Sequence, residues 1–286
     1  MSDASSGKRL FLTAAGSGLL SRKHQLTGCR GPEGNSTIML SRAQIKYIQS
    51  LRHKKYRQKF SQFVAEGDKI ASEILSSGHL RISALYALDS WIGANSLTLD
   101  QKPGLQIQGI THQELSQISS LTTPHSVLVV AEIPATTNLS PRGMLSLLLE
   151  NIQDPGNMGT LIRTADWFGI RNLYCSSGCA DPYGPKTVQA SMGSIARVEI
   201  METNLGSLIQ EHPGISSFAA VLNGIDINAF HRVKEGLILI GNESRGLTPE
   251  LALACTHRVT VPRLGHAQSL NAAVAAGIIC SRLCME

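Results

Sequence analysis

The sequence predicts an α/β protein whose carboxy-terminal half is a doubly wound parallel sheet. Strand-length apolar runs alternate regularly with helix-like spacing, and runs such as residues 145–149 and 236–241 are almost continuously apolar, as expected for parallel strands covered on both faces. We predict strands at residues 144–152, 172–176, 197–201, 217–223, 236–241 and 258–262, and helices at 157–169, 204–212, 248–257 and 269–284. Ligands of such sheets bind at the carboxyl ends of the strands, so the loops there are the candidate site.

The chain upstream of this half predicts a smaller α/β domain. Residues 38–134 alternate between helical spacing and short apolar runs, which is typical of a small α/β sandwich. Residues 135–143 are rich in Thr, Asn, Ser, Pro and Gly and are interpreted as a linker to a second domain at residues 144–286. We predict helices at residues 45–51, 68–78 and 113–120, and strands at 63–67, 82–88 and 125–134.

Residues 1–37 contain Gly, Ser and basic residues without an apolar period. We interpret them as a disordered extension, or as a segment that does not belong to the native protein. In the second case Met39, which begins a helix-like stretch, is the candidate start. A transit peptide is a further alternative, although Pro32 and the glycines interrupt an amphipathic helix.

The formal net charge of +5 is concentrated at the amino-terminal end. Residues 1–60 carry twelve Lys and Arg against only Asp3 and Glu33. Composition leaves open two interpretations, a partner with a phosphate backbone and a solubilising tail. No run of eighteen apolar residues occurs, so we expect no membrane-spanning helix.

Six cysteines raise the question of disulfides or a metal site. Within the pairs Cys175/Cys179 and Cys280/Cys284 three residues intervene instead of the two usual in zinc knuckles, and no His lies at ligand spacing beside them. We therefore expect free structural thiols, no bound metal and a reducing cytoplasm.

The first loop that carries candidate functional residues spans residues 151–169. Asp154-Pro155-Gly156 forms a turn after a strand, and we predict that Asn157 caps the following helix. We expect Gly159 to leave room for Arg163 to point at the loop mouth, where a guanidinium could bind a phosphate. An ordinary cap beside a surface arginine is the alternative.

The second loop, residues 237–247, follows another predicted strand. Gly241 and Gly246 would let a ligand approach the backbone, and Glu243 could orient an amine or an arginine. A charged turn without a ligand is the alternative interpretation.

The third loop leads into the last predicted helix. We predict that Ser269 caps this helix, with Leu270 and Asn271 in its first turn. Residues 272–277 form a run of small side chains that predicts close packing against other backbone or against a second subunit, and free amides at the helix start attract anions.

Together the three loops resemble one known family. The segments DPGNMGTLIRTADWFG, IGNESRGL and VPRLGHAQSLNAAVA are similar, in this order, to the SpoU (TrmH) branch of the SPOUT methyltransferases over about residues 145–284. Residues 63–75, FVAEGDKIASEIL, resemble the ribosomal-protein-like substrate-binding domain that precedes the catalytic domain in many members. Residues 1–37 have no counterpart in the resemblance.

The resemblance implies a fold and an activity. The carboxy-terminal sheet would contain a trefoil knot through which the last helix threads, a feature that general fold rules would never predict. The protein would transfer a methyl group from S-adenosylmethionine to a ribose 2′-hydroxyl of RNA. Consistent with a cofactor site of this kind, no dinucleotide-binding GxGxxG motif occurs in a βαβ setting.

By position match, the resemblance also assigns site residues. The catalytic set around the ribose is Asn157, Arg163, Glu243, Ser269 and Asn271, and the cofactor set is Asn223, Gly241, Val261 and Leu270. We interpret Arg163 as an organiser of phosphate and oxyanion, because a guanidinium pKa above about 12 makes it an expensive base; the base itself stays open. Ala272-Ala273 replaces the Val-Ser of many relatives, from which we expect a packing effect only.

Family members are homodimers, and the resemblance implies a dimer here with RNA as the partner, ribosomal RNA before transfer RNA because of the appended domain. We expect RNA phosphates to be bound by the basic segment, namely Arg52, Lys54, Lys55, Arg57 and Lys59. Tyr56 and Phe60 interleave with these residues. Stacking on bases is one role for them, but we expect Phe60 in the core.

Two other classes of function compete with this one. A ribosome-assembly protein that binds RNA without catalysis would have no chemical need of the whole catalytic set together, namely Asn157, Arg163, Glu243, Ser269 and Asn271. A nucleotide-binding α/β enzyme of another kind would be expected to carry a Walker lysine motif or the dinucleotide fingerprint, and the sequence has neither.

Overall fold

A computed structural model of the chain describes residues 39–135 and 139–285. The predicted extension at residues 1–37 and the middle of the predicted linker, residues 136–138, lie outside the described residues. The first group of elements is α1 (Arg42–Ser50), α2 (Lys54–Phe60), β1 (Gln62–Glu66), α3 (Asp68–Ser77), β2 (Ile82–Ala87), α4 (Asp89–Ala94), α5 (Ser96–Asp100), β3 (Ile107–Gly109), α6 (His112–Ile118) and β4 (Val127–Glu132).

The second group contains the parallel strands and the helices that connect them. It consists of β5 (Leu145–Leu149), α7 (Pro155–Trp167), β6 (Asn172–Cys175), α8 (Pro185–Ser191), β7 (Glu199–Glu202), α9 (Leu205–Glu211), β8 (Ser217–Asp226), β9 (Gly236–Ile240), α10 (Pro249–Ala254), β10 (His257–Thr260) and α11 (Ala272–Cys284), with short 3-10 turns at Ser194–Ala196 and Ile227–Ala229.

The amino-terminal elements form a mixed four-stranded sheet of order β1-β4-β2-β3. Strand β4 pairs antiparallel with both β1 and β2, and β3 pairs parallel with β2. The predicted strands and helices are present, whereas α2, α4, α5 and β3 were not predicted. These elements are short, and the sequence of α2, KKYRQKF, has no apolar period that would identify a helix.

The carboxy-terminal elements confirm the predicted doubly wound sheet. Six strands lie in the order β10-β8-β9-β5-β6-β7, and every pair is parallel. Strand β8 leaves β10 after Ala219 and rejoins it at Ile225, so residues 220–224 form an excursion at this edge. Helix α8 was missed because the segment PKTVQAS contains little apolar sequence.

The structure corrects two predicted helix caps. Helix α7 begins at Pro155, and the Asp154 carboxylate accepts a hydrogen bond from the backbone N–H of Asn157 at 2.7 Å, so Asp154 and not Asn157 is the cap. Proline at the first helical position fixes this start, since its φ is helical and it lacks a donor. Helix α11 begins after Asn271, whose oxygen accepts from two backbone N–H groups; Ser269 lies outside the helix.

Alternation along β4 shows how the core is divided. Val127, Val129 and Ala131 face a large apolar cluster that continues into β5 and α7, whereas Leu128 and Val130 face a second cluster under α1 and α6. A third cluster covers the other face of the parallel sheet beneath α9 and α10. Strand β4 is therefore buried on both faces, with alternate side chains in different clusters, and the parallel strands are covered on both faces as well.

A buried ion pair links α2 to the loop after β6. The Arg57 side chain is 5% exposed, and its Nε and Nη2 donate to Oδ2 of Asp181 at 3.0 and 2.5 Å. Its Nη1 donates to the carbonyl oxygens of Leu51 and Arg52, both at 2.8 Å. The predicted role of Arg57 as a phosphate contact is therefore wrong, because its donors are buried and bonded within the protein.

A second polar cluster joins α3 to α7. Arg197 contacts Glu73 of α3 and donates to both carboxylate oxygens of Asp166, which also accepts from the Ser194 hydroxyl at 2.7 Å. Burial would raise the pKa of Asp166, but the hydrogen bonds from Arg197 and Ser194 outweigh it and lower the pKa below its ordinary value. The amino-terminal elements are thus attached to the helix that follows β5.

The described part of the chain has no helix that combines the length and the apolarity needed for a bilayer crossing. Cysteines 175, 179, 255, 280 and 284 are unpaired, and Cys29 lies outside the described residues. Burial is the main reason that the pKa of the Cys175 thiol is raised, which makes it a structural and not a reactive group.

Candidate active site

A pocket of about 800 Å³ opens at the carboxyl ends of β8, β9 and β10. Its walls come from the excursion in β8, the loop after β9 and the long loop before α11. All four residues that the sequence assigned to the cofactor line this pocket, namely Asn223, Gly241, Val261 and Leu270. Glu243 and Ser269 of the predicted catalytic set line it too. The site therefore lies at the sheet edge that the fold class predicts.

Gly241 occupies a position that only glycine fits. A Cβ placed there would collide with the backbone of Gly246 and Leu247. The loop folds back on itself, because the N–H of Asn242 donates to the Gly246 carbonyl at 3.1 Å and the reverse bond measures 2.9 Å. Gly246 has φ +69°, the left-handed region that glycine adopts without strain. The result is a tight loop whose backbone forms one wall of the pocket.

Two side chains that sequence reasoning missed anchor this loop to β5. The amide of Asn242 donates to the Asn151 carbonyl at 2.7 Å, while its oxygen accepts from the N–H groups of the next two residues. Glu150, which is buried, accepts from the backbone N–H of Thr248 at 2.7 Å and from its hydroxyl at 2.9 Å. A carboxylate that directly follows an apolar strand was the signal for Glu150.

Three residues from three loops meet at the pocket mouth. The amide of Asn157 donates to Oε1 of Glu243 at 3.0 Å, and its oxygen accepts from the amide of Asn271 at 2.9 Å. The side-chain oxygen of Asn271 caps α11, which leaves its NH₂ group to donate to Asn157. This fixes the direction of both hydrogen bonds in the series Asn271–Asn157–Glu243. The second oxygen of Glu243 lies 3.4 Å from the amide of Asn242. Amide groups thus hold an acceptor-only carboxylate beside the pocket.

Arg163 lies apart from this group. It is exposed on the face of α7 that also carries Thr160 and Trp167, and within residues 39–135 and 139–285 no hydrogen bond or ion pair of its side chain is found. Gly159 does not make room for it, because Gly159 faces α8, where an added Cβ would stand 2.5 Å from the Ala190 Cβ. That glycine serves the close packing of α7 on α8.

The predicted RNA-binding residues divide into two groups. Lys54, Lys55 and Lys59 are exposed on α2, and Arg52 is exposed but donates to the carbonyl oxygens of residues 118 and 119 at 3.2 and 2.6 Å. Arg57, as described above, is buried. Phe60 is 39% exposed, so the expectation that it belongs to the core is wrong.

In the described part of the chain no group of three or more His, Cys, Asp or Glu side chains is placed to hold a metal ion. The pocket instead combines exposed apolar side chains, such as Leu222 and Leu264, with backbone groups and the Glu243 carboxylate. Such a lining suits an organic ligand with a polar end.

Comparison with known proteins identifies both parts of the chain. The SpoU rRNA methylase family matches residues 144–281, and an MRM3-like substrate binding domain matches residues 42–129. The 23S rRNA (guanosine(2553)-2'-O)-methyltransferase RlmP of Bacillus subtilis is 29% identical over 238 residues, which are 82% of this chain and 93% of that protein.

Solved structures of RNA methyltransferases are also similar to this chain. An S-adenosylmethionine-bound rRNA methyltransferase from Sinorhizobium meliloti is 29% identical with a TM-score of 0.74, covering 83% of this chain and 92% of that one. A protein from Porphyromonas gingivalis that is described as a TrmH-family RNA methyltransferase has a TM-score of 0.77 and 37% identity, covering 85% of this chain and 98% of that one. With nearly the whole of this relative matched, the chain belongs to the SpoU (TrmH) family of SPOUT methyltransferases.

Proposed function

We propose that the protein transfers a methyl group from S-adenosylmethionine to a ribose 2′-hydroxyl of ribosomal RNA. The observation that carries the proposal is the hydrogen-bonded chain Asn271–Asn157–Glu243 at the mouth of a pocket lined by all four predicted cofactor residues. The named activities of the family relatives, a ribosomal 2'-O-methyltransferase among them, support the same reaction and favour ribosomal over transfer RNA.

The pocket fits the cofactor in size and in chemistry. Its volume of about 800 Å³ falls within the range of roughly 300–1,000 Å³ that is usual for small-molecule sites. We assign the cofactor to the backbone at Gly241 and Val261 and to the side chains of Leu270 and Asn223. When bound, S-adenosylmethionine supplies an electrophilic methyl group on its sulfonium sulfur.

The protein's own residues have to position the ribose and exclude water. The Glu243 carboxylate can only accept hydrogen bonds, so it can bind a ribose hydroxyl, and Asn157 keeps it aimed at the pocket. Ser269, which lines the pocket, adds a hydroxyl that can donate or accept. We assign the adjacent phosphate to Arg163, because a guanidinium matches phosphate geometry and stays charged.

We further propose that two copies of the chain form a homodimer through α7 and α11. These helices pack against each other, and their outward faces carry Trp167, 81% exposed, with Val274 and Ile278, 51% and 39% exposed. Apolar side chains of this size gain about 25 cal/mol per Å² when they leave water. Asn157 and Arg163 are six positions apart, which turns them about 120° from one another on the helix, so Arg163 can serve a partner's site.

The domain boundaries, the knot and the cellular location are also proposals. We propose that the chain divides into residues 38–134, a linker at 135–143 and a methyltransferase domain at 144–286, and that α11 threads a trefoil knot. The two sheets and the tight loop at Gly241 support this division. We place the protein in the cytoplasm, since five unpaired cysteines suit a reducing compartment.

The test combines cofactor binding with methyl transfer. We expect calorimetry to detect S-adenosylmethionine binding, and mapping of 2′-O-methyl groups in total RNA, with and without the gene, to reveal one lost ribosomal site. Arg163→Ala should reduce transfer by at least about 100-fold, the scale for loss of one preorganised charge donor, and leave cofactor affinity nearly intact.

Arg171→Ala is the matched control. Arg171 is exposed at the amino end of β6, whereas the candidate site lies at the carboxyl ends of the strands. This variant should transfer methyl groups like the unaltered protein. A protein that binds RNA but ignores millimolar cofactor would instead support the non-catalytic assembly role, and a lost site in transfer RNA would replace the ribosomal substrate.

A further inference from the structure

Helix α2 presents aromatic rings to solvent on one side and a buried arginine on the other. Resting on the proposed function, we propose that Tyr56 and Phe60 stack on unpaired bases of the substrate RNA, and that Arg57 holds this surface beside the active site. The surface thereby selects RNA loops or single strands over continuous duplex.

The rings form a connected exposed group. Tyr56 and Phe60 are 36% and 39% exposed, their planes are inclined by only 15°, and their centroids are 6.4 Å apart. The edge of Tyr47 supports Phe60 at 5.3 Å, and His53 lies 6.5 Å from Tyr56. Each ring is held by a neighbour, so its accessible face is already ordered before any ligand arrives.

The charges around these rings favour a nucleic acid over a protein. Residues 51–61 contain five Lys and Arg and no acidic residue. Lys54, Lys55 and Lys59 are exposed, and the Lys59 ammonium lies 5.4 Å from the centre of the Phe60 ring. Aromatic rings interleaved with lysines are the recognised means of binding unpaired nucleotides, because the rings stack on bases while the ammonium groups bind phosphates. Bases inside an A-form duplex have both faces covered and cannot stack in this way.

A series of contacts connects the aromatic surface of α2 to the carboxyl ends of the parallel strands, where the candidate site lies. Arg57 binds Asp181, in the loop that follows β6. In the same loop Gly178 lies directly against the side chain of Asn151, and the Asn151 carbonyl accepts from Asn242, the neighbour of Glu243. An RNA loop that places its ribose at Glu243 can therefore rest a nearby base on α2.

The test measures RNA binding by the full-length protein separately from methyl transfer. Fluorescence anisotropy would compare an unpaired oligoribonucleotide with a duplex of equal charge for Tyr56→Ala/Phe60→Ala. We expect the double variant to lose about tenfold in affinity for the unpaired RNA per ring removed, and less than about twofold for the duplex, where phosphate contacts dominate. KM for RNA should rise by a similar factor while kcat changes little.

Two further variants keep the result interpretable. Tyr56→Trp/Phe60→Trp should restore binding, since any flat ring can stack, and Leu97→Ala, which removes an apolar side chain 82% exposed elsewhere in the same half, should bind like the unaltered protein. Equal losses for both RNAs, no loss for either RNA, or failure of the tryptophan variant to bind the unpaired RNA would overturn the proposal. Binding is measured without cofactor, so failure of the proposed methyl transfer would be seen separately.

Discussion

The clearest difference between charge pattern and structure concerns Arg57, and Arg57→Ala tests it. If Arg57 were a phosphate contact, its loss would weaken RNA binding and leave the fold intact. The structure predicts the reverse, because the guanidinium is 5% exposed and donates to the Asp181 carboxylate and to two backbone carbonyls. Truncation removes four hydrogen bonds and leaves the carboxylate, only 18% exposed, without its cation.

Breaking a buried ion pair by removing one partner destabilises a protein by about 3–5 kcal/mol. Water still reaches part of Asp181, so we expect a value near the lower end, about 3 kcal/mol. Asp181→Ala should lose a similar amount, because it leaves the less exposed charge unpaired. The double variant should lose less than the sum of the two, since both single changes break one interaction.

Urea unfolding followed by circular dichroism measures these differences, with the slope of the transition checked for constancy. Lys55→Ala, on the exposed face of the same helix, is the control and should remain within about 0.5 kcal/mol of the unaltered protein. A change below about 1 kcal/mol for Arg57→Ala, together with a loss of RNA affinity like that of Lys55→Ala, would refute the reasoning.

Three further predictions address the site and its support. Asn157→Asp puts a carboxylate about 3 Å from Glu243. Coulomb's law with an effective dielectric constant near 20 gives about 5.5 kcal/mol of repulsion between the two charges, and solvent screening reduces it to roughly 1–2 kcal/mol. We therefore expect methyl transfer to fall at least about tenfold, and unaltered transfer would contradict the hydrogen bond between Asn157 and Glu243. Gly241→Ala should weaken S-adenosylmethionine binding in calorimetry by about 10- to 100-fold, the equivalent of the ~1–3 kcal/mol that overpacking costs, because the added methyl collides with loop backbone. Gly214→Ala, with open space around it, should bind normally. Gly159→Ala gains about 1 kcal/mol of helix propensity but overpacks α7 against α8 by about 1–3 kcal/mol, so urea unfolding should show a net loss, and a more stable variant would show that the helices can move apart.

The sheets were predictable because their signals are local. An apolar run such as LSLLL in β5, or GLILI in β9, needs both of its faces covered, and the alternation in β4 needs one face toward each cluster. The Asp154-Pro155-Gly156 turn was predicted wrongly, because a proline and a glycine after an aspartate suit a turn, yet a proline equally suits the first helical position, and α7 begins at Pro155. The resemblance then placed cofactor residues that do line one pocket.

The partners of polar side chains were not predictable from local signals. Arg57 meets Asp181 across 124 residues, and nothing in the basic segment marks one cation as buried among exposed ones. The predicted caps of α7 and α11 were wrong for a related reason. Asp154 and Asn157 are both good caps, as are Ser269 and Asn271, and the backbone path of the folded loop selects between them.

The same long-range dependence explains why the site combines rigid anchors with an exposed mouth. Asn157 is 86 residues from Glu243 and 114 from Asn271, so neither hydrogen bond forms until α7, the loop after β9 and the start of α11 are all in place. Such bonds gain little when their partners are mobile, because each side chain must first lose its rotational freedom. Glu150 is buried and does not itself line the pocket, yet by fixing Thr248 it removes that freedom from the loop in advance. The Glu243 carboxylate is therefore oriented by Asn157 at the pocket mouth and by a loop that Glu150 holds from outside the pocket.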